Sequence, residues 1–184
     1  MATLDERALG VTRFWREAGP SAWFEKNDAF DADFRSRFLD LHHAAARREL
    51  DGWLEHAEGA LALMILLDQF PRNCFRGSGH MFATDPLARH LASKAIAAGH
   101  DLATDEDVRV FFYLPFEHSE ELADQIRCVE LTQANAPGGD YLAYAIVHRD
   151  IIQRFGRFPH RNRALGRETT PQEQAFLDDG GFAG

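Results

Sequence analysis

A chain of 184 residues, 45% hydrophobic and 27% charged, can bury a sizeable core and has an ordinary globular composition. Its net charge of −9 argues against general binding to nucleic acid or an anionic membrane, since both need a basic surface. Two cysteines, Cys74 and Cys128, are too few for a disulfide framework and lack metal-ligand spacing.

Helical periodicity runs through the chain and strand signals are almost absent. Residues 4–18 place Leu4, Ala8, Val11, Phe14 and Trp15 at helical spacing, and Gly19-Pro20 ends that helix. The segment Ser21 to Lys26 is expected to bring Trp23 and Phe24 into the core. A second helix over 28–50 carries Phe30, Phe34, Phe38, Leu41 and Ala45 on one stripe, before a break at Gly52-Trp53. The third, 54–70, is apolar on every side from Ala60 to Leu67, which marks a central buried helix. Pro71 is expected to stop it and to open a loop reaching Thr84.

Asp85-Pro86 reads as an N-cap followed by a first-position proline, and Gly99 closes the helix that follows. The run Thr104 to Asp107 starts a helix that passes Val108 and Tyr113 and stops at Pro115. Ser119 opens a helix to about Ala134, Pro137-Gly138-Gly139 breaks it, and Asp140 to Phe155 forms another. Thr170-Pro171-Gln172-Glu173 is a capping box heading a short last helix. The expectation is an all-α, single-domain antiparallel array of about eight helices spanning 1–184. A charged start and an apolar run no longer than Ala60 to Leu67 predict no signal peptide and no membrane span, hence a reduced, cytoplasmic protein.

One short phrase is written twice, as Gln69-Phe70-Pro71-Arg72-Asn73 and as Arg157-Phe158-Pro159-His160-Arg161-Asn162. Both copies follow an apolar helical stretch, and proline is expected to stop each helix because it lacks an amide hydrogen. The Arg, Asn and His that follow can grip an anion or a carboxylate. The second copy lies in residues 149–167, where six Arg face Asp150 alone, a local charge of +5 that leaves −14 for the rest. Only Lys26 and Lys94 are lysines, and the other eighteen cationic residues are Arg.

Three phrases together resemble the bacterial family called domain of unknown function 924. They are Leu66 to Asn73, Phe112 to Glu120, and His148 to Asn162. The likeness extends from Phe14-Trp15 and Trp23-Phe24 to Gly166-Arg167 and the Thr170-Pro171-x-Glu173 tail, nearly the whole chain. It implies an all-α fold of the tetratricopeptide-like superfamily and no known activity. A period near 34 residues with the repeat's own Trp, Leu-Gly and Tyr offsets is not found.

Function must therefore come from the residues. Asp68 lies on the apolar stripe of its helix, where a lone charge would be costly, so an Arg partner is expected from Arg72, Arg157 or Arg161. His148 shares an inward face with Tyr141, Tyr144, Ile152 and Phe155, and His118 sits at a helix start with Glu117 and Glu120 beside it. Each feature has a plain structural reading as well: a core histidine, an ion pair that docks two helices, a polar helix cap.

Read as one site, Arg72, Arg76, Arg157 and Arg161 would hold a small anionic molecule, with Gln69, Asn73 and Asn162 orienting it. His118, His148 or His160 would move protons, and Asp68 or Glu120 would orient a histidine, as hydrolysis or isomerisation requires. No activated nucleophile stands out. A metal set of Asp68, His118, Glu120 and His148 is disfavoured, because His-x-Glu points to different helix faces and four Arg repel a cation. No cofactor is expected, since phosphate-binding glycine loops are absent. The alternative is a peptide- or protein-binding groove in which Arg154, Arg157 and Arg161 clamp a carboxylate. The oligomeric state is not legible.

Overall fold

Local chemistry starts most of the helices. Asp5 accepts the Arg7 backbone N–H ahead of α1 (Glu6–Ala18), and Pro20 opens α2 (Pro20–Phe24). Asn27 accepts two N–H groups ahead of α3 (Asp28–Ala46). The computed structural model describes residues 4–182 and is all-α, with no strand among them. Residues 1–3 and 183–184, the ends of the expected 1–184 unit, lie outside the described residues. Trp23 is buried as expected, but Phe24 is 53% exposed, because consecutive residues on a short helix cannot both face inward.

The central helix departs from expectation at its proline. It runs as α4 (Ala57–Met64), a π-turn (Ile65–Gln69) and α5 (Phe70–Cys74), without stopping at Pro71. The Phe70 N–H reaches back to the Ile65 carbonyl, the wide spacing of a π-turn, one residue before the proline that has no N–H to give. The Leu66 and Leu67 carbonyls lose their helical donors there. His42 Nδ1–H takes the first at 2.8 Å and Thr84 Oγ1–H the second at 2.5 Å. Side chains thus satisfy what the helix cannot, and the turn holds the buried Asp68 and Gln69.

Other breaks also sit elsewhere. Gly156, in the left-handed conformation at φ 69°, ends α10 (Tyr141–Phe155), while Pro159 instead begins a 3-10 turn, Pro159–Arg161. Asp85 is not a cap; it is the first residue of α6 (Asp85–Ala97), and its carboxylate faces Arg72. Pro115 lies in the first turn of α8 (Leu114–Glu117), so the chain stays helical after α7 (Glu106–Arg109) and a 3-10 turn. α9 (Leu122–Asn135) packs on α10 as a hairpin, and α11 (Pro171–Asp178) carries the expected capping box. Among the described residues the count rises to eleven α-helical segments, because two expected helices are interrupted and Pro20–Phe24 adds a short one.

One apolar core joins α1, α3, α4, α6 and residues 108–116 around the fully buried Trp15, Phe34, Phe70 and Phe112. Each such aromatic or Leu side chain contributes about 1.5–3 kcal/mol on burial. A second, small cluster of Ile151, Ile152 and Phe158 with Phe155, Phe176 and Phe182 seats the C-terminal segment. No helix among the described residues is long and apolar enough to cross a membrane.

Candidate functional site

The three phrases meet where the π-turn, the α8–α9 junction and the 159–161 turn converge. Asp68, 1% exposed, accepts from His118 Nδ1–H at 2.8 Å and from Gln69 Nε2 at 2.7 Å. Arg72 Nη1 lies 3.2 Å from the same carboxylate and donates to the Asp68 backbone carbonyl. Its two terminal nitrogens also form a bidentate pair with Asp85, both at 2.9 Å. Burial raises the Asp68 pKa, but Arg72 and then His118 outweigh it and hold the carboxyl below its usual range.

An ionised Asp68 only accepts, so His118 carries its proton on Nδ1 and keeps the Nε2 lone pair free. Burial, then the Arg72 charge, push the His118 pKa down to about 4 against the opposing pull of Asp68. Glu117, the neighbouring residue, is buried without a strong partner. His148 Nδ1 lies 3.5 Å from one of its oxygens and Cys128 Sγ 3.9 Å from the other. Burial and then the Asp68 charge raise its pKa to about 8, so at neutral pH it is a carboxylic acid beside a carboxylate. Gln125 Nε2 pins this segment by donating to the Glu117 and Ser119 carbonyls at 2.6 Å.

His148 donates its Nδ1–H to the Tyr144 carbonyl at 2.8 Å and is pushed by burial to about 4. Arg161 enters from the second phrase. It donates to the His118 carbonyl at 2.9 Å, lies 3.8 Å from Asp85 and stacks over the Phe82 and Phe158 rings. Burial, then Arg72, lower its pKa to about 10. Its Nε and the Nδ1 of His160 are buried with no hydrogen-bond partner. His160 is likewise pushed by burial to about 4.

The other expected residues are not in this cluster. Asn73 and Arg76 hold the buried Asp31 of α3 at 2.8 and 2.9 Å. Asn162 and Arg157 hold Glu173 of α11, Asn162 at 3.3 Å and Arg157 bidentately at 2.6 and 2.8 Å. Glu120 pairs with Arg167 through both oxygens and accepts the Phe158 N–H. Arg154 is exposed over the Phe155 and Phe176 rings. Each copy of the repeated phrase therefore divides its labour: Arg72 and Arg161 turn into the site, while Asn73 and Asn162 dock a neighbouring helix.

Glu117, Asp85 and Phe82 were not in the expected set. An acid ending the apolar run Val110 to Phe116 was the available signal for Glu117. Asp85 was hidden by its resemblance to a cap. No strong nucleophile accompanies the cluster: burial pushes the Cys74 thiol up to about 12 and Cys128 higher, and Ser119 Oγ is taken by Asp124 and Arg89. Among the described residues no group of three His, Cys, Asp or Glu is arranged to hold a metal ion. Two surface hollows, one along α3 at Ala32 to Asp40 and one at Leu9 to Glu17 with Glu58 and Asp105, contain none of these residues.

Residues 11–181 match the family described as bacterial protein of unknown function (DUF924). The chain belongs to the DUF924 family. It is similar to a solved structure of a protein of unknown function from Agrobacterium tumefaciens, with 61% identity and a TM-score of 0.92. That match covers 95% of this chain and 98% of the other. No curated protein matches. All three phrases of the cluster, from Asp68 to Arg161, fall inside the DUF924 match.

Proposed function

We propose that this DUF924 protein is an acid–base enzyme of the hydrolase kind acting on a small anionic molecule. The observation that carries the reading is the Asp68–His118 pair beside a carboxyl group kept protonated at Glu117. Two further observations support it: Arg161 Nε and His160 Nδ1 are buried without hydrogen-bond partners, and the nearest donors to Glu117 stand at 3.5 and 3.9 Å. Arg161, backed by Arg72, would hold the anionic group. His118 Nε2 would take a proton from the attacking water while Asp68 steadies the imidazolium that forms. Glu117 would give its proton to the leaving group and recover one from His118.

The alternative, a tetratricopeptide-like module clamping a peptide carboxylate, has weaker support. Arg154, Arg157 and Arg161 face an aromatic pair, Glu173 and the interior respectively, so they share no groove. Two free cysteines, Cys74 and Cys128, suit the cytoplasmic setting we assign it.

The test is turnover of p-nitrophenyl esters and p-nitrophenyl phosphate by the wild type and four variants. His118→Gln and Glu117→Gln should each lose about 10²–10⁴-fold. Arg161→Gln should raise KM, and Arg154→Ala should change nothing. Turnover that survives His118→Gln would sink the reading, as would no turnover together with no thermal shift in phosphate or acetate.

A further inference from the structure

Phe182 reaches the site from the far end of the chain and is held there by apolar packing alone. Its ring centroid lies 4.5 Å from that of His148 and 5.3 Å from that of His160, at interplanar angles of 62° and 75°. Phe158 completes the slot, 5.4 Å from His148 and 5.5 Å from His160. Two glycines make the approach. Gly180 sits at φ +81°, and a Cβ on Gly181 would come within 2.5 Å of the Phe176 ring and carbonyl. The last backbone bond of this turn is Gly181 N–H to the Phe176 carbonyl, and no hydrogen bond among the described residues ties Phe182 itself.

The walls of the slot are aromatic rings, and burial keeps both histidines uncharged at neutral pH. The Arg161 guanidinium lies 4.3 Å over the Phe158 ring that lines it, with its Nε unpartnered. An aromatic ring in the slot and an anionic group on Arg161 would therefore be neighbours across one side chain.

We propose that the slot occupied by Phe182 is an apolar subsite, that its ligand is a small carboxylate bearing an aromatic ring, and that Phe182 is an internal occupant which the ligand displaces. This rests on the anionic-substrate reading and names the substrate class. An edge-on aromatic cage favours a flat ring over an alkyl chain. Occupancy by the chain's own ring lowers the apparent affinity by the fraction of molecules in which the slot is open.

Calorimetric titration of the full-length chain with 3-phenylpropionate, propionate and toluene tests this. Phe182→Ala should bind 3-phenylpropionate at least about 10-fold more tightly than the wild type does, while propionate binding stays weak and unchanged. Adding Arg161→Gln should remove at least about 10-fold of that gain, and toluene should bind more weakly than 3-phenylpropionate. Phe182→Leu, which keeps the slot filled, should fall between wild type and Phe182→Ala; it carries the comparison if the alanine variant fails to fold. Two results would overturn the proposal: no gain in either variant, or toluene binding as tightly as 3-phenylpropionate, the behaviour of a mere cavity. The acid–base reading fails separately. Tight, Arg161-dependent binding without hydrolysis of any ester sinks only that reading, and hydrolysis without aryl binding sinks only this one.

Discussion

Two polar networks flank the segment Glu117 to Glu120, and they are built differently. The outer one, Glu120–Arg167 and Arg157–Glu173 with Asn162, pairs each carboxylate with a fork of guanidinium donors and fastens α11. The inner one joins Asp68, Arg72, Asp85, His118, Glu117 and Arg161, and ends in an undissociated acid and unpartnered nitrogens. Both read alike in sequence as Arg, Glu, His and Asn around a proline. The outer network closes its hydrogen-bond account and the inner one does not.

The sharpest break in that comparison should come from Arg72→Ala. It leaves Asp68 and Asp85 buried without their shared cation, and the expected loss is about 3–5 kcal/mol by denaturant unfolding. A loss near zero would mean that the inner pair is solvated and the contrast false. Thr84→Val should cost about 1–3 kcal/mol, because the Leu67 carbonyl freed by Pro71 would lose the hydroxyl donor that replaces the proline's missing N–H. An unchanged melting temperature would show that the π-turn needs no such support.

Glu117→Gln should change stability by less than about 1 kcal/mol near pH 4, where the carboxyl is protonated in the folded and the unfolded chain alike. Its pH dependence is the sharper test. A carboxyl raised from 4.5 to about 8 stabilises the fold below the lower value, and that contribution is lost as pH rises through the upper one. The variant should therefore gain on the wild type between about pH 4.5 and 8. His42, His118, His148 and His160 act in the opposite direction: lowered from 6.5 to about 4, they withdraw stability as pH falls through that window. Melting temperature measured from pH 4 to 8 in both proteins would show both slopes. The smallest effect is expected for Arg157→Gln, because Glu173 keeps its bonds from Asn162 Nδ2 and the Thr170 N–H. Hydrogen exchange should rise only over residues 171–178, leaving the inner cluster's protection as it was.

The all-α fold was legible because helical periodicity and capping are local signals, as in the Thr170–Glu173 box that the structure keeps. The breaks were less so. Proline reads as a stop, yet Pro115 sits in a helical first turn, where its missing N–H costs little, and Pro71 lies inside a continuous helix because Thr84 serves the carbonyl it frees. The π-turn at 65–69 depends on donors from His42 and Thr84, which lie 24 and 17 residues away from the carbonyls they serve. Within the candidate site, Asp68, His118, His148 and Arg161 were visible as polar residues on apolar stripes or in the repeated phrase. Asp85 was not, since Asp-Pro reads as a helix cap, and Glu117, noted only as a neighbour of His118, was marked by nothing but its place at the end of an apolar run.

The most direct measurement is the titration of Glu117 and His118 in the native protein, by carboxyl ¹³C and imidazole ¹⁵N resonances. The account predicts a Glu117 carboxyl that titrates near pH 8 and a His118 ring that stays neutral above about pH 4 with its proton on Nδ1. A Glu117 already ionised at pH 6, with His118 titrating near 6.5, would make the inner cluster another ion-pair fastening and contradict the acid–base site.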